Sequence, residues 1–360
     1  MVSRKPIRPV KIGKIVGFHP TLRLSLAIFV GALLLPVCQP AKLFSQTFDQ
    51  GPVFSFIEEN DLAVDTDRHY TQGIKLAYLE ADGDLPRWAS ELSSKIPALG
   101  FTPRAEKFGY ELGQSIYTPA NISATQLLPK DRPYAGWLYT GLILQRRGLT
   151  AGEQPTLESF QLDLGIIGPE SLAEEAQTWV HKVRGFNLPQ GWAHQLKTEP
   201  GFALKYQRSW LFSPAHQDRR FLDLIPHTGF SLGNVETSAR LGATLRLGWN
   251  LPDNFGVQTI DSLVTTEGGW SSSRAGGHWG FYLFSGVEGR AILYTAFLDG
   301  NLFRDGHDVN KEPFVGEWKS GCVFLLRRIE AGYTYVHRTR EFIKQTEQDR
   351  YGSLFIKYKF

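Results

Sequence analysis

In the run TSARLGATLRLGWN, Ala239, Leu241, Ala243, Leu245, Leu247 and Trp249 occupy one parity, while Arg240, Gly242, Thr244, Arg246, Gly248 and Asn250 occupy the other. A two-residue period puts alternate side chains on opposite faces of an extended strand. Such a strand has one apolar face and one charged face. The same split recurs in RRIEAGYTYVHRT, where Ile329, Ala331, Tyr333 and Tyr335 alternate with Glu330, Gly332 and Thr334. It recurs again in the final YGSLFIKYKF, with Leu354, Ile356, Tyr358 and Phe360 against Ser353 and Lys357. In a soluble sandwich the apolar parity faces a protein core; in a membrane barrel it faces lipid, and the polar parity lines the lumen. Alternation alone does not separate the two.

Three further features favour the barrel. The chain opens with a basic stretch and then an apolar run from Leu24 to Cys38, the order of a secretory signal peptide, expected over residues 1–45 with no clear cleavage point. Aromatic residues make up 13% of the chain, many at strand ends, and the alternating terminus closes on Phe360, an ending similar to that of bacterial outer-membrane proteins. Segments of this kind number about twelve, each about ten residues long, which suits an even-stranded barrel. The Leu24–Cys38 run is short for a spanning helix, and no other segment approaches the roughly 18 uncharged apolar residues one needs.

Residues 46–360 are expected to form a single barrel domain, since no linker, repeat or low-complexity break interrupts them. Seven of the 39 basic residues and none of the 36 acidic ones lie in 1–45, so the remainder carries a net charge of −4 and gives no reason to expect nucleic acid as a partner. Only Cys322 lies beyond the leader, so no internal disulfide is possible there and burial or a closed sheet must supply stability.

One segment breaks the strand period. In GPESLAEEAQTWVHKVRG, Ser171 and Glu174 have capping-box spacing, Lys182 and Arg184 fall in the last turn, and Gly185 supplies a stop. The pattern predicts a helix of about three to four turns. Leu172, Ala176, Trp179, Val180 and Val183 form its apolar side, while Glu174, Gln177 and His181 follow one stripe. The helix is open to two readings: a loop element capping the barrel with a surface histidine, or a face presenting Gln177 and His181 to a site, histidine being the usual general base near neutral pH.

The loop ENDLAVDTDRHYTQG, residues 59–73, is densely polar. With Phe54 and Phe56 outward, Glu59 and Asp61 are expected inward; with Ile74, Leu76 and Tyr78 outward, Thr71 is expected inward too, facing Asp61 across the hairpin on the lumenal side. Asn60 joins them only through a bulge. A carboxylate, an amide oxygen and a hydroxyl suit a hard cation such as calcium and lack the sulfur and imidazole of structural zinc. Ordinary turn chemistry explains the same residues. A second polar loop carries Asp131 and Arg132, expected to be a bracing ion pair.

On the blocks END (59–61), TDRHYTQG (66–73), GQSIYTP (113–119), DRPYAG (131–136), LGIIGPESLAEEAQTWVH (164–181) and GWAHQLKTEPG (191–201), the chain resembles the lipid A 3-O-deacylase family of outer-membrane proteins. The resemblance implies a twelve-stranded barrel whose site lies between the wall and an extracellular loop helix. It implies calcium-dependent removal of ester-linked acyl chains at the 3-position of lipid A, the substrate being lipopolysaccharide of the surface leaflet. Carried over by motif, Asp61, Asn60 and Thr71 are the expected metal ligands, and His181, Gln177, Asn60 and Thr71 the catalytic centre. Two positions depart from the family's pattern: a lysine after IYTP has Lys130 as its nearest equivalent, and an acidic residue after the helix is replaced at Phe186 and Asn187, with Glu199 a candidate substitute. The chain has no G-x-S-x-G elbow for a serine nucleophile. Other readings are an outer-membrane phospholipase and a non-enzymatic channel or adhesin.

Overall fold

The computed structural model describes residues 51–61, 69–214, 221–257, 259–260 and 279–360; the expected leader lies outside the described residues. Twelve strands follow one another around the chain: β1 Val53–Asn60, β2 His69–Leu79, β3 Phe101–Thr118, β4 Ala135–Thr150, β5 Pro155–Ile167 and β6 Glu199–Trp210. They continue as β7 Leu222–Gly233, β8 Glu236–Trp249, β9 Trp279–Thr295, β10 Phe314–Leu326, β11 Ile329–Arg338 and β12 Asp349–Lys359. Each pairs antiparallel with its sequence neighbour, and β1 closes on β12 with Val53 opposite Lys359 and Asn60 opposite Gly352. Closure removes every free strand edge, which is what lets a sheet cross hydrocarbon.

The two parities divide as the sequence implies. On β8, Leu241 is 68% exposed, whereas Arg246 on the opposite parity is fully enclosed. On β12, Leu354 and Ile356 face out, and Ser353 and Lys357 face in. Charges on the lumenal face are matched in pairs: Arg246 with Asp223 at 2.6 Å, Lys205 with Asp163 at 2.7 Å, and Glu317 between Arg290 at 3.0 Å and Arg338 at 2.7 Å. Enclosed charges demand such partners, because an unpaired one carries the full cost of desolvation.

The connection from β8 to β9 lies at the end of the barrel where β1 begins and β12 ends. Its described part, residues 251–257 and 259–260, runs inside the lumen. Arg147 holds Asp253 at 2.9 Å, Arg246 donates to the Asn254 carbonyl at 3.0 Å, and Phe255 packs among Ala105, Leu157, Leu211 and Ile225. Farther along, the Ile260 amide donates to Glu59 Oε1 at 2.6 Å, and Ile260 packs with Ile57, Tyr282 and Phe355. This segment bonds to β1, β4 and β8 from inside the lumen and gives these strand interiors polar partners.

Among the described residues three α-helices lie off the sheet: α1 Arg87–Lys95 between β2 and β3, α2 Ala173–Arg184 between β5 and β6, and the short α3 Ala296–Asp299 between β9 and β10. No described helix is long and apolar enough to cross a membrane.

Candidate functional site

The segment Ala173–Arg184 is helical because it carries good helix formers, acids Glu174 and Glu175 in its first turn, and His181, Lys182 and Arg184 in its last. It stops at Gly185, which takes the left-handed conformation at φ 72°. Its start differs from the expected capping box. Ser171 ends a short 3₁₀ turn, Pro169–Ser171, and its hydroxyl donates to the Gly168 carbonyl at 2.6 Å, so Leu172 at φ 58° becomes the N-cap without a side-chain bond. Just ahead, the exposed Glu170 carboxyl is held below its ordinary pKa by the Thr198 hydroxyl that donates to it.

The orientation of α2 reverses that of a helix on a soluble protein. Trp179 and Val183 are 66% and 67% exposed, while Ala173, Gln177 and His181 are buried. The large side chains Trp179 and Val183 of its apolar side point outward. Lipid is the natural medium for exposed tryptophan and valine; of the expected stripe, Gln177 and His181 face the protein, while Glu174 is exposed.

What it faces is the outside of the barrel wall. Gln114 and Gly136 belong to the outward parity of β3 and β4. Gln114 Nε2 donates to the Ser171 carbonyl at 2.7 Å, and a Cβ on Gly136 would overlap the Ser171 hydroxyl and the Ala173 methyl. At the other end of the helix, Arg184 lies 3.7 Å from Glu58 on the outward parity of β1. Twelve residues of α2 span about 18 Å, and the three strand spacings from β4 to β1 come to about 14 Å. The helix therefore crosses β4, β3, β2 and β1, with Gln177 and His181 over the middle two strands. Burial along the strands agrees: Leu112 and Ile74 on the outer face are exposed, but Ile116, Thr118 and Gln72, one or two pairs farther along the same face, are covered.

Both buried polar side chains are fixed from the segment that follows α2. His181 Nδ1 lies 2.5 Å from the Asn187 carbonyl. A carbonyl only accepts, so Nδ1 carries the proton and the neutral ring keeps its lone pair on Nε2. Trp192 Nε1 donates to Gln177 Oε1 at 2.9 Å; an indole only donates, which settles the amide's orientation and turns its NH₂ the other way. That Nε2 is buried with no hydrogen-bond partner among the described residues. Trp192 is itself fully buried against Tyr134, Ile116 and Ala173. Trp192 is marked in the sequence only by the GWAH block in which it stands, and Asn187 only as a position where the expected acid is replaced; neither pattern shows that it fixes these side chains.

Asn60 and Thr71 reach the same outer face, by a route the alternation did not foresee. Asn60 lies in regular register opposite Gln72 and Gly352, on the outward parity with Glu58, and no bulge turns it inward. The irregularity is on β2 instead, between Tyr70 and Gln72. An extra residue at a bulge re-aims its side chain. Thr71 Oγ1 accordingly pairs at 2.7 Å with Thr118 Oγ1, which follows the lumenal Tyr117 and so belongs to the outer face. The expectation that Thr71 faces the lumen is corrected by that one inserted residue. Asp61 follows Asn60 directly and is fully buried. Asn60, Thr71, Thr118 and the covered Gln72 thus form a row across β1, β2 and β3 beside the line of α2. The amide and hydroxyl oxygens of this row are ligand types that suit a hard cation.

Other expected residues lie elsewhere. Lys130 is exposed in the β3–β4 loop. Glu199 does not stand in for a missing acid: its carboxylate accepts from the Leu302 and Phe303 amides at 3.2 and 3.1 Å. Arg132 pairs with Glu341 at 3.0 Å, while Asp131 caps the Ala120 and Arg132 amides, so both brace loops but not as a pair. His69, also in the 59–73 loop sequence, is tied to Asp349 at 2.5 Å and so braces the barrel end.

With apolar side chains facing outward along the strands and a polar patch covered by α2, the outer wall is that of an outer-membrane barrel with a helix-covered polar site. The chain belongs to the LpxR family, whose model, "Outer membrane protein LpxR", matches residues 26–360. Among solved structures it is similar to LpxR from Salmonella typhimurium, at 21% identity and a TM-score of 0.66, covering 86% of this chain and 100% of that one. The β domain of the Bordetella autotransporter BrkA matches at 10% identity, with a TM-score of 0.39 over 87% of this chain and 100% of that one. No curated protein matches the chain.

Proposed function

We propose that this protein is a calcium-dependent esterase that removes the 3-O-linked acyl chains of lipid A, acting from the surface leaflet of the outer membrane. The observation that carries the reading is the inverted helix: α2 exposes Trp179 and Val183 and buries Gln177 and His181 against the outer wall. A substrate whose ester lies at the boundary of headgroup and acyl chain reaches such a site laterally from the membrane, without entering the barrel.

The roles follow from the fixed atoms. The Asn187 carbonyl orients His181, and Nε2 takes a proton from the attacking water and later returns it to the leaving alcohol. Gln177, its oxygen held by Trp192, offers its NH₂ to the ester carbonyl oxygen, where negative charge develops. The unsatisfied burial of that NH₂ is costly in the resting protein and gains its partner as the reaction proceeds. Asp61, Asn60 and Thr71 would hold the calcium ion. Bound there, the ion supplies Lewis-acid stabilisation of the carbonyl oxygen. The backbone carbonyl of Asn187 does for His181 what a carboxylate does elsewhere, which accounts for the acid missing after the helix.

The experiment is to incubate purified protein in detergent with lipid A and with a glycerophospholipid, each with Ca²⁺ and with chelator, and to follow acyl release by mass spectrometry. Release of 3-linked chains from lipid A with Ca²⁺ alone is expected. Release only from the glycerophospholipid overturns the substrate, and intact lipids with folded protein overturn the reading.

A further inference from the structure

At the opposite end of the barrel from α2, the β2–β3 connection also lies on the outer wall. Polar bonds fix it there. The Ser93 hydroxyl donates to Glu106 Oε1 at 2.8 Å, and Arg146 donates to the Ile96 carbonyl at 2.7 Å and the Ser93 carbonyl at 3.2 Å. Arg208 donates to the Leu99 carbonyl at 2.6 Å. Glu106, Arg146 and Arg208 stand on the outward parity of β3, β4 and β6, and Glu158 on β5 neutralises both arginines. A guanidinium beneath the C-terminal carbonyls of α1 also complements the helix dipole. Arg146 is fully buried, so the segment covers it closely.

The attachment leaves the large apolar side chains outside. Only Ala89 and Ser93 of α1 are buried, while Trp88 is 51%, Leu92 48% and Leu99 68% exposed. Trp88 meets Phe108 edge-on at 5.2 Å, and Phe108 meets the exposed Tyr110 in the same way at 5.3 Å, so the stripe runs without a break into the lipid-facing belt of β3. Exposed Arg87 and Lys95 flank it, with Glu91 between them.

We propose that α1 is an interfacial anchor whose occupant is the glycerophospholipid headgroup layer on the side of the membrane where the barrel's termini lie. Trp88, Leu92 and Leu99 enter the boundary of headgroups and acyl chains, and Arg87 and Lys95 reach lipid phosphates along their aliphatic stems. Continuity with the barrel's own lipid belt selects a bilayer over a protein partner, and the flanking basic residues select phosphate-bearing lipid.

The test uses the full barrel in nanodiscs of phosphatidylethanolamine and phosphatidylglycerol. Nitroxide labels are placed by Leu92→Cys, Leu112→Cys and Gly152→Cys, each with Cys322→Ser, to report the anchor, the lipid belt and the water beyond the β4–β5 turn. The anchor predicts that a label at 92 resembles the one at 112, open to oxygen and shielded from a water-soluble nickel chelate. A label at 92 as accessible to nickel as the one at 152 overturns it. An independent measurement keeps the native cysteine: quenching of tryptophan fluorescence by phospholipids brominated near the headgroup should fall in Trp88→Phe by more than its share of the total emission. Unchanged quenching counts against the anchor, and protection of position 92 equal in detergent and in nanodiscs shows that protein, not lipid, covers it.

Discussion

Two helices lie on the outside of the same barrel, at opposite ends, and each shows tryptophan to the surroundings. They differ in what they hide. Helix α1 buries Ala89 and Ser93, a small side chain and a hydroxyl with a carboxylate partner. Helix α2 buries a glutamine and a histidine, and leaves one NH₂ without a partner among the described residues. Attachment alone requires only the first arrangement. Burying a polar donor unsatisfied costs about 1–3 kcal/mol, a cost that the attachment of α1 through Ser93 does not carry.

Removing the base breaks the contrast most severely. His181→Ala should lower acyl release by about 10²- to 10⁴-fold, with the heat-modifiable mobility of the folded barrel unchanged; equal activity removes His181 from the mechanism. Gln177→Ala should cost about 10²- to 10³-fold, in the range of a lost oxyanion donor, measured as kcat at saturating lipid. Trp192→Phe keeps a smaller aromatic ring and loses the N–H, so the amide is free to turn, and a smaller loss of about tenfold is expected, equal to about 1.4 kcal/mol of transition-state stabilisation. A loss as large as that of Gln177→Ala would show that Trp192 supports the whole segment and not one amide.

The smallest effects concern stability, and they differ at the two helices. Gln177→Leu removes an unsatisfied donor but leaves the buried Trp192 N–H without its acceptor, so the two effects offset and resistance to urea unfolding should change little while activity is abolished. Ser93→Ala removes a satisfied bond and should lower it by about 1 kcal/mol, with activity intact. A loss in Gln177→Leu larger than that in Ser93→Ala erases the distinction drawn between the helices.

The barrel was legible because a two-residue period survives any environment; lipid or core, Leu241 and Arg246 still take opposite faces. Gln177 and His181 were legible for a similar reason, since helical spacing alone puts them on one stripe. Three features escaped local pattern. Thr71 changes face because one inserted residue on β2 cancels the alternation, and sequence does not say where a bulge falls. Ser171 has capping-box spacing, but Gly168 at φ 99° turns the chain so that its hydroxyl meets a carbonyl. The lumenal segment at 251–260 has no period at all, and its partners, from Glu59 to Arg246, are scattered along the chain.

The central claim is that the covered polar patch beneath α2 hydrolyses an ester presented from the membrane. Its most direct measurement is the mass of lipid A recovered after incubation with Ca²⁺ and either the native protein or His181→Ala, both verified as folded barrels. The account predicts loss of the 3-linked acyl mass with the native protein and intact lipid A with the variant. The same lipid A from both, whether cut or uncut, would contradict it.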